Sequence, residues 1–260
     1  MSDDLLVRDE KAVRIFTLNR PATKNGLTLE LNQYLIDEFD RAATDRSVRC
    51  LVLMGAGGSF CSGLDLKAAA SIVDPEKAGD HLDRYFHGLI RAVRRITKPV
   101  VALVDGPAAG FGCDLALACD IRLGTARTRL GESFVKRGLM PDGGGTFHLP
   151  RIVGVAKALE LMLSGDLIEA DEALRLGLIS RLLPTETALQ ETLLYAERLA
   201  AGAPKVHAWV KRAIYGSLEG TFEEALSIER QGQIELLRSK DFLEGVSAFF
   251  QKRDPQFTGE

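Results

Sequence analysis

The chain has 260 residues, 46% of them hydrophobic and 27% charged, which is the balance of a folded globular protein rather than a disordered one. A formal net charge of −3 offers no basic surface for nucleic acid or an anionic membrane, and no apolar run approaches the roughly 20 residues a membrane-crossing helix needs. The opening MSDDLLVRDEKAV lacks a basic stretch followed by an apolar core, so a cytoplasmic protein is expected.

Residues 12–19, AVRIFTLN, alternate apolar and polar and predict a strand, broken by Asn19-Arg20-Pro21. From Thr28 to Thr44 the apolar spacing puts Leu31, Leu35, Ile36 and Phe39 on one helical face, with Thr28 as N-cap. RCLVLMG (49–55) is a β-rich run feeding the glycine loop GAGGSFCSG. A second such strand, PVVALVD (99–105), feeds the loop GPAAGFG, and DIRLGT (120–125) reads as a third strand. The recurrence of strand, glycine loop and helix predicts repeated ββα or βαβ units. After Gly165 the pattern turns helical, interrupted by the apolar stretch GLISRLL (177–183). From Pro204, a first-turn proline, to about Arg253 it is helical throughout, with Phe249-Phe250 as an apolar pair suited to packing on something else. The four cysteines, Cys50, Cys61, Cys113 and Cys119, form no CxxC pair and read as reduced thiols. The four histidines have no metal-binding spacing, and no metal is expected.

The glycines fit no nucleotide fingerprint. G-x-G at Gly55 and Gly57 lacks its third glycine, and neither GxxxxGK[ST] nor GxSxG occurs. The two loops SFCSGLDL (59–66) and AAGFGCDL (108–115) each place small residues before an apolar helix start, leaving backbone N–H groups free. Two such donors converging on one point would make an oxyanion hole; two plain turns fit the same residues.

The succession NRPATKNGLT, GAGGSFCSGLDL, KPVVALVDGPAAGFGCDLALACDIRL, RLGESFVKRGLMPDGGGTFHLPRIVG and LSGDLIEADEALRLGLISRL, with the tail FLEGVSAFFQKRDPQFTGE, resembles the crotonase family of enoyl-CoA hydratases and isomerases over almost the whole chain. The resemblance implies an α/β fold, a spiral of repeated ββα units over residues 1–200, followed by a helical trimerisation region over 201–260. It further implies an acyl-CoA thioester substrate with coenzyme A as part of it, no separate cofactor, and assembly as a homotrimer or a dimer of trimers.

Carried over by position, the oxyanion donors are the amides of Leu64 and Phe111, the latter standing where the family often has glycine. The family's two hydratase glutamates fall at Asp114 and at Phe134, and Phe134 cannot transfer a proton. Asp142, in LMPDGGGT, falls where isomerases of the family use an aspartate; an Asp there also suits a helix N-cap. Apolar walls such as Phe134, Leu139 and Met140 would raise its pKa by desolvation. One carboxylate suffices to carry a proton between two carbons, since no water is activated. Backbone around Lys24 and Asn25, and Ser62 and Gly63, is implied to grip CoA, with Asp65 and Gly110 of the same loops. Phe249 and Lys252 match positions that reach a neighbouring subunit's CoA. His87 resembles a histidine of the family's 4-chlorobenzoyl-CoA dehalogenases, yet the single Trp209 lies outside the matched sites and Phe86 and Phe134 stand there instead. The expected activity is an enoyl-CoA isomerase through Asp142, with hydration through Asp114, dehalogenation and non-catalytic acyl-CoA binding as alternatives.

Overall fold

A computed structural model describes residues 3–65 and 75–260. In chain order it runs β1 (Leu5–Glu10), β2 (Val13–Leu18), a 3-10 turn (Pro21–Thr23), α1 (Leu29–Thr44), β3 (Cys50–Gly55), α2 (Pro75–His81), a π-helical turn (Leu82–His87), α3 (Gly88–Arg95) and β4 (Val100–Val104). It continues through β5 (Pro107–Ala109), α4 (Phe111–Ala118), β6 (Ile121–Thr125), β7 (Arg129–Gly131), a second 3-10 turn (Ser133–Arg137), α5 (Gly145–Val153), α6 (Val155–Ser164), β8 (Ile168–Glu169), α7 (Ala170–Arg175) and β9 (Arg181–Leu183). The chain ends in α8 (Ala188–Ala200), α9 (Pro204–Ser217), α10 (Phe222–Leu236) and α11 (Lys240–Gln251). The helix start expected after SFCSGLDL falls outside the described residues.

Six strands form one sheet in the order β1-β2-β3-β4-β6-β9, antiparallel at β1–β2 and parallel beyond. Because both faces are covered at its centre, β3 and β4 carry no charged or polar alternation, while the flanking strands do. Cys50 and Val52 of β3 pack with Val13, Ile15, Val101 and Leu123 beneath Ala196 and Ala200 of α8. Leu51 and Leu53, one residue out of phase, join Leu31, Leu35 and Phe39 of α1 in the larger core on the other face. Thr28 caps α1 as expected, its hydroxyl accepting from Leu31 N at 3.2 Å.

A smaller sheet, β5-β7-β8, stands beside the first, and its order is extended by the isolated parallel bridges Cys61–Ala108 and Leu27–Leu64. Successive turns of the spiral thus give one strand to each sheet before the chain enters a helix, the repeated ββα unit that the sequence predicts. GLISRLL, read only as an apolar interruption, supplies the sixth strand of the main sheet.

The C-terminal helices behave differently. α9 is fastened to the sheet through Asp120, whose carboxylate accepts from Val100 N at 2.7 Å, from Lys211 Nζ at 2.7 Å and from the Tyr215 hydroxyl. α10 and α11 instead leave Phe222, Phe249 and Phe250 more than 70% exposed. Among the described residues, no helix is long and apolar enough to cross a membrane.

Candidate active site

The strand ends of the smaller sheet open on a cavity of about 380 Å³. Its rim begins with Ala22 and Thr23. Behind them Asn25, fully buried, accepts from Arg20 N at 2.9 Å and donates to Ala56 O and Ser59 O at 2.9 and 2.7 Å. The first bond shapes the loop after β2, and the other two lock it onto the loop after β3. Ser62 completes the join, its amide donating to Lys24 O and its hydroxyl to Thr23 O, both at 2.9 Å.

The next wall is Ser62–Asp65, with Gly110 and Phe111 opposite. Leu27 N donates to Gly63 O at 2.8 Å and Leu27 O accepts from Asp65 N at 2.9 Å, a parallel bridge that turns the Leu64 amide to the other side. That side faces the start of α4, where Phe111 is the first helical residue and its amide has no intrahelical acceptor. Gly63, at φ +86°, allows the approach: a Cβ there would lie 2.9 Å from Ala109 O and 3.2 Å from Phe111 N. Phe111 itself is helical, because the left-handed turn falls on Gly110 at φ +55°. The two amides of the expected oxyanion hole therefore flank one cavity. Asp65 also lines it, held by Arg20 Nη2 at 2.8 Å.

Aromatic and apolar side chains close the inner end. Phe86 meets Phe111 edge to face at 5.0 Å, and Phe134 and Leu139 line the same space, with Ser133 and Arg137 beside them. Asp142 projects into this setting. Its Oδ1 is buried with no hydrogen-bond partner, and desolvation pushes its pKa up to about 6, with the nearby His87 pulling the other way. Asp142 caps no helix: the N-cap of α5 is Gly144, without a side-chain cap bond.

Several expected positions lie elsewhere. Asp114 is fully buried outside the cavity lining, its Oδ2 accepting from Gly143 N at 2.8 Å, because the Gly143–Gly145 loop passes between it and the open space. The side chain of Asn25 is consumed by the loops it ties, and the Lys24 carbonyl by Ser62, so neither lines the cavity. His87 is half exposed beside Asp83, with Nδ1 3.8 Å from Oδ1; the π-helical turn sends Phe86, not His87, into the cavity wall. Met140 is 69% exposed and forms no wall for Asp142. Phe249 is on α11 in a separate apolar groove with Phe242 and Phe257, and Lys252 ends that helix.

Sequence reading missed Glu132. It is buried beside Asp114, and both of its carboxylate oxygens lack partners. Its only signal is a charge inside the short run RLGESF, two residues before the Phe134 position that drew attention.

A family model described as enoyl-CoA hydratase/isomerase matches residues 8–260. The chain is 37% identical to the 1,2-epoxyphenylacetyl-CoA isomerase of Escherichia coli over the full length of both, and 36% identical to the 2,3-dehydroadipyl-CoA hydratase of the same organism over 98% of this chain and 99% of the relative. A crystal structure of an enoyl-CoA hydratase from Bacillus anthracis superposes with a TM-score of 0.95 at 31% identity, covering 99% of this chain and all of the other.

Proposed function

The chain belongs to the enoyl-CoA hydratase/isomerase family and is an enzyme acting on acyl-CoA, and from that premise we propose that it moves a double bond along an enoyl thioester, with Asp142 carrying the proton. The observation that supports this reading above others is the contrast between carboxyls: Asp142 lines the cavity, whereas Asp114 is sealed behind Gly143.

In this mechanism the thioester carbonyl oxygen sits against the amides of Leu64 and Phe111. The Asp142 carboxylate takes a proton from C2 of a 3-enoyl thioester, and the electron pair of that bond passes to the carbonyl oxygen, giving a dienolate. The two N–H groups, one at the positive end of α4, stabilise this charge as it develops, each worth about 3 kcal/mol. Asp142 then returns the proton to C4, leaving the 2-enoyl product and a regenerated carboxylate. No water is consumed, and a single base suffices. The raised pKa suits the task, since a carboxyl near neutrality both accepts and releases a proton readily. Phe86, Phe111, Phe134 and Leu139 keep the acyl end dry.

The protein itself is proposed to self-associate, as a trimer or a dimer of trimers, through the exposed apolar side chains of α10 and α11. In that assembly Phe249 and Lys252 would reach CoA held by a neighbour. Incubation with a 3-enoyl-CoA in deuterated water should yield the 2-enoyl isomer with deuterium in the acyl chain. Formation of 3-hydroxyacyl-CoA abolished only by Asp114→Ala would instead establish hydration, and binding without any exchange would exclude catalysis.

A further inference from the structure

Behind the loop that carries Asp142, two carboxyl groups are closed off from solvent. Asp114 lies in the first turns of α4, and Glu132 joins β7 to the second 3-10 turn, 2% exposed. Of their four oxygens, Asp114 Oδ2 accepts from Gly143 N; Asp114 Oδ1, beside the Gly145 amide, and both oxygens of Glu132, beside the Cys113 thiol, are buried without a hydrogen bond of good geometry. A Cβ built on Gly145 would lie 2.1 Å from Asp114 Oδ1 and 2.9 Å from Glu132 Oε1. The two carboxyls therefore meet beside Gly145, the last of three successive glycines in that loop.

Two ionised carboxylates in this arrangement offer each other only lone pairs and repel. One proton converts the contact into an O–H···O bond and satisfies both orphan oxygens at the junction. The proton belongs on Glu132, because the Gly143 N–H already favours the charged form of Asp114. Among the described residues, the titratable groups that act on Glu132 are Asp114 and the Cys113 thiol on α4, and Asp142 across the loop, none of them positive. Burial and the Asp114 charge together raise Glu132 far above the usual carboxylate range.

We propose that Glu132 is a positioning residue: as a neutral acid it donates to Asp114, and the Asp114 carboxylate so oriented holds the Gly143 amide and, one residue earlier, Asp142 at the cavity wall. This rests on the proton-shuttle reading of Asp142. Glu132 acts through Asp114 and touches no substrate.

Glu132→Gln keeps a donor of the same shape but removes the titrating proton. Its solvent-deuterium exchange at pH 7 should stay within about 10-fold of the parent. Glu132→Ala should lose about 100-fold in kcat with KM little changed, the cost of a displaced catalytic group. The parent should lose activity in the alkaline range as Glu132 ionises, and Glu132→Gln should not. The infrared carbonyl stretch of a buried neutral acid should be present in the parent at pH 8 and absent from Glu132→Gln. Equal losses in the two variants, an unchanged Ala variant, or no such band in the parent would overturn the proposal. If the Ala variant fails to fold, the band and the alkaline limb of the Gln variant decide. The infrared band requires no turnover, so it reads Glu132 independently of Asp142→Asn, whose full activity would defeat the shuttle reading alone.

Discussion

Asp142 and Asp114 stand on opposite sides of the Gly143 amide, and the difference between them is access rather than burial. Both are withdrawn from water and both are pushed upward by desolvation. Asp142 nevertheless opens on a cavity large enough for an acyl group, while Asp114 meets only backbone amides and another carboxyl. A withdrawn carboxyl with an open side is built to exchange protons with a substrate; a withdrawn carboxyl without one is built to hold its neighbours still.

The largest effect should separate the two directly. Asp142→Asn is expected to lower deuterium exchange into the acyl chain by about 10²–10⁴-fold while CoA-thioester binding persists, measured by mass spectrometry and calorimetry. Gly63→Ala acts from the opposite wall. Its methyl group would press on Ala109 O and Phe111 N in a left-handed backbone, parting the two amides and costing about 10²-fold in kcat. Asp114→Asn should cost only about 10-fold, because the amide oxygen still accepts from Gly143 and its NH₂ group donates to Glu132. A loss equal to that of Asp142→Asn would erase the distinction between the two sides.

The smallest effects follow from protonation. Asp142 must be ionised to take a proton, so kcat/KM should rise with pH and level off above about 6, falling tenfold per unit below that value. The same raised pKa means the folded state binds a proton more tightly than the unfolded one, so the residue's contribution to stability is lost as pH climbs from about 4 to 6. Asp142→Asn, which never carries the desolvated charge, should be more stable than the parent by up to about 3 kcal/mol at pH 7, and the gain should vanish below about pH 4. Thermal denaturation at both pH values measures it.

Much of this was legible because apolar runs and caps act locally. Thr28 and the Leu31–Phe39 stripe specify α1 without outside help, and the strands at 50–55 and 100–104 follow from their composition. Asp142 is singled out by the resemblance of LMPDGGGT to the family's isomerases, not by any local pattern. What escaped notice depends on distant partners. β5, β7 and β8 are two or three residues each, too short for any periodicity, and exist because the spiral brings them together. Asn25 looks like a loop residue offered to ligand, and only the folded chain reveals the three loop bonds that occupy it. Glu132 is hidden by register: the family's second carboxylate position falls at Phe134, and the acid two residues earlier turns inward to Asp114.

The fastening of α9 at Asp120 means the tail is no detachable accessory. Asp120 ends the turn that leads out of α4, the helix whose first amide faces the cavity, and its charge is answered by Lys211 from over ninety residues away. A chain cut before Pro204 would strand that anion against the sheet. Proteolytic removal of the last helices should therefore end in precipitation, not in a smaller working enzyme.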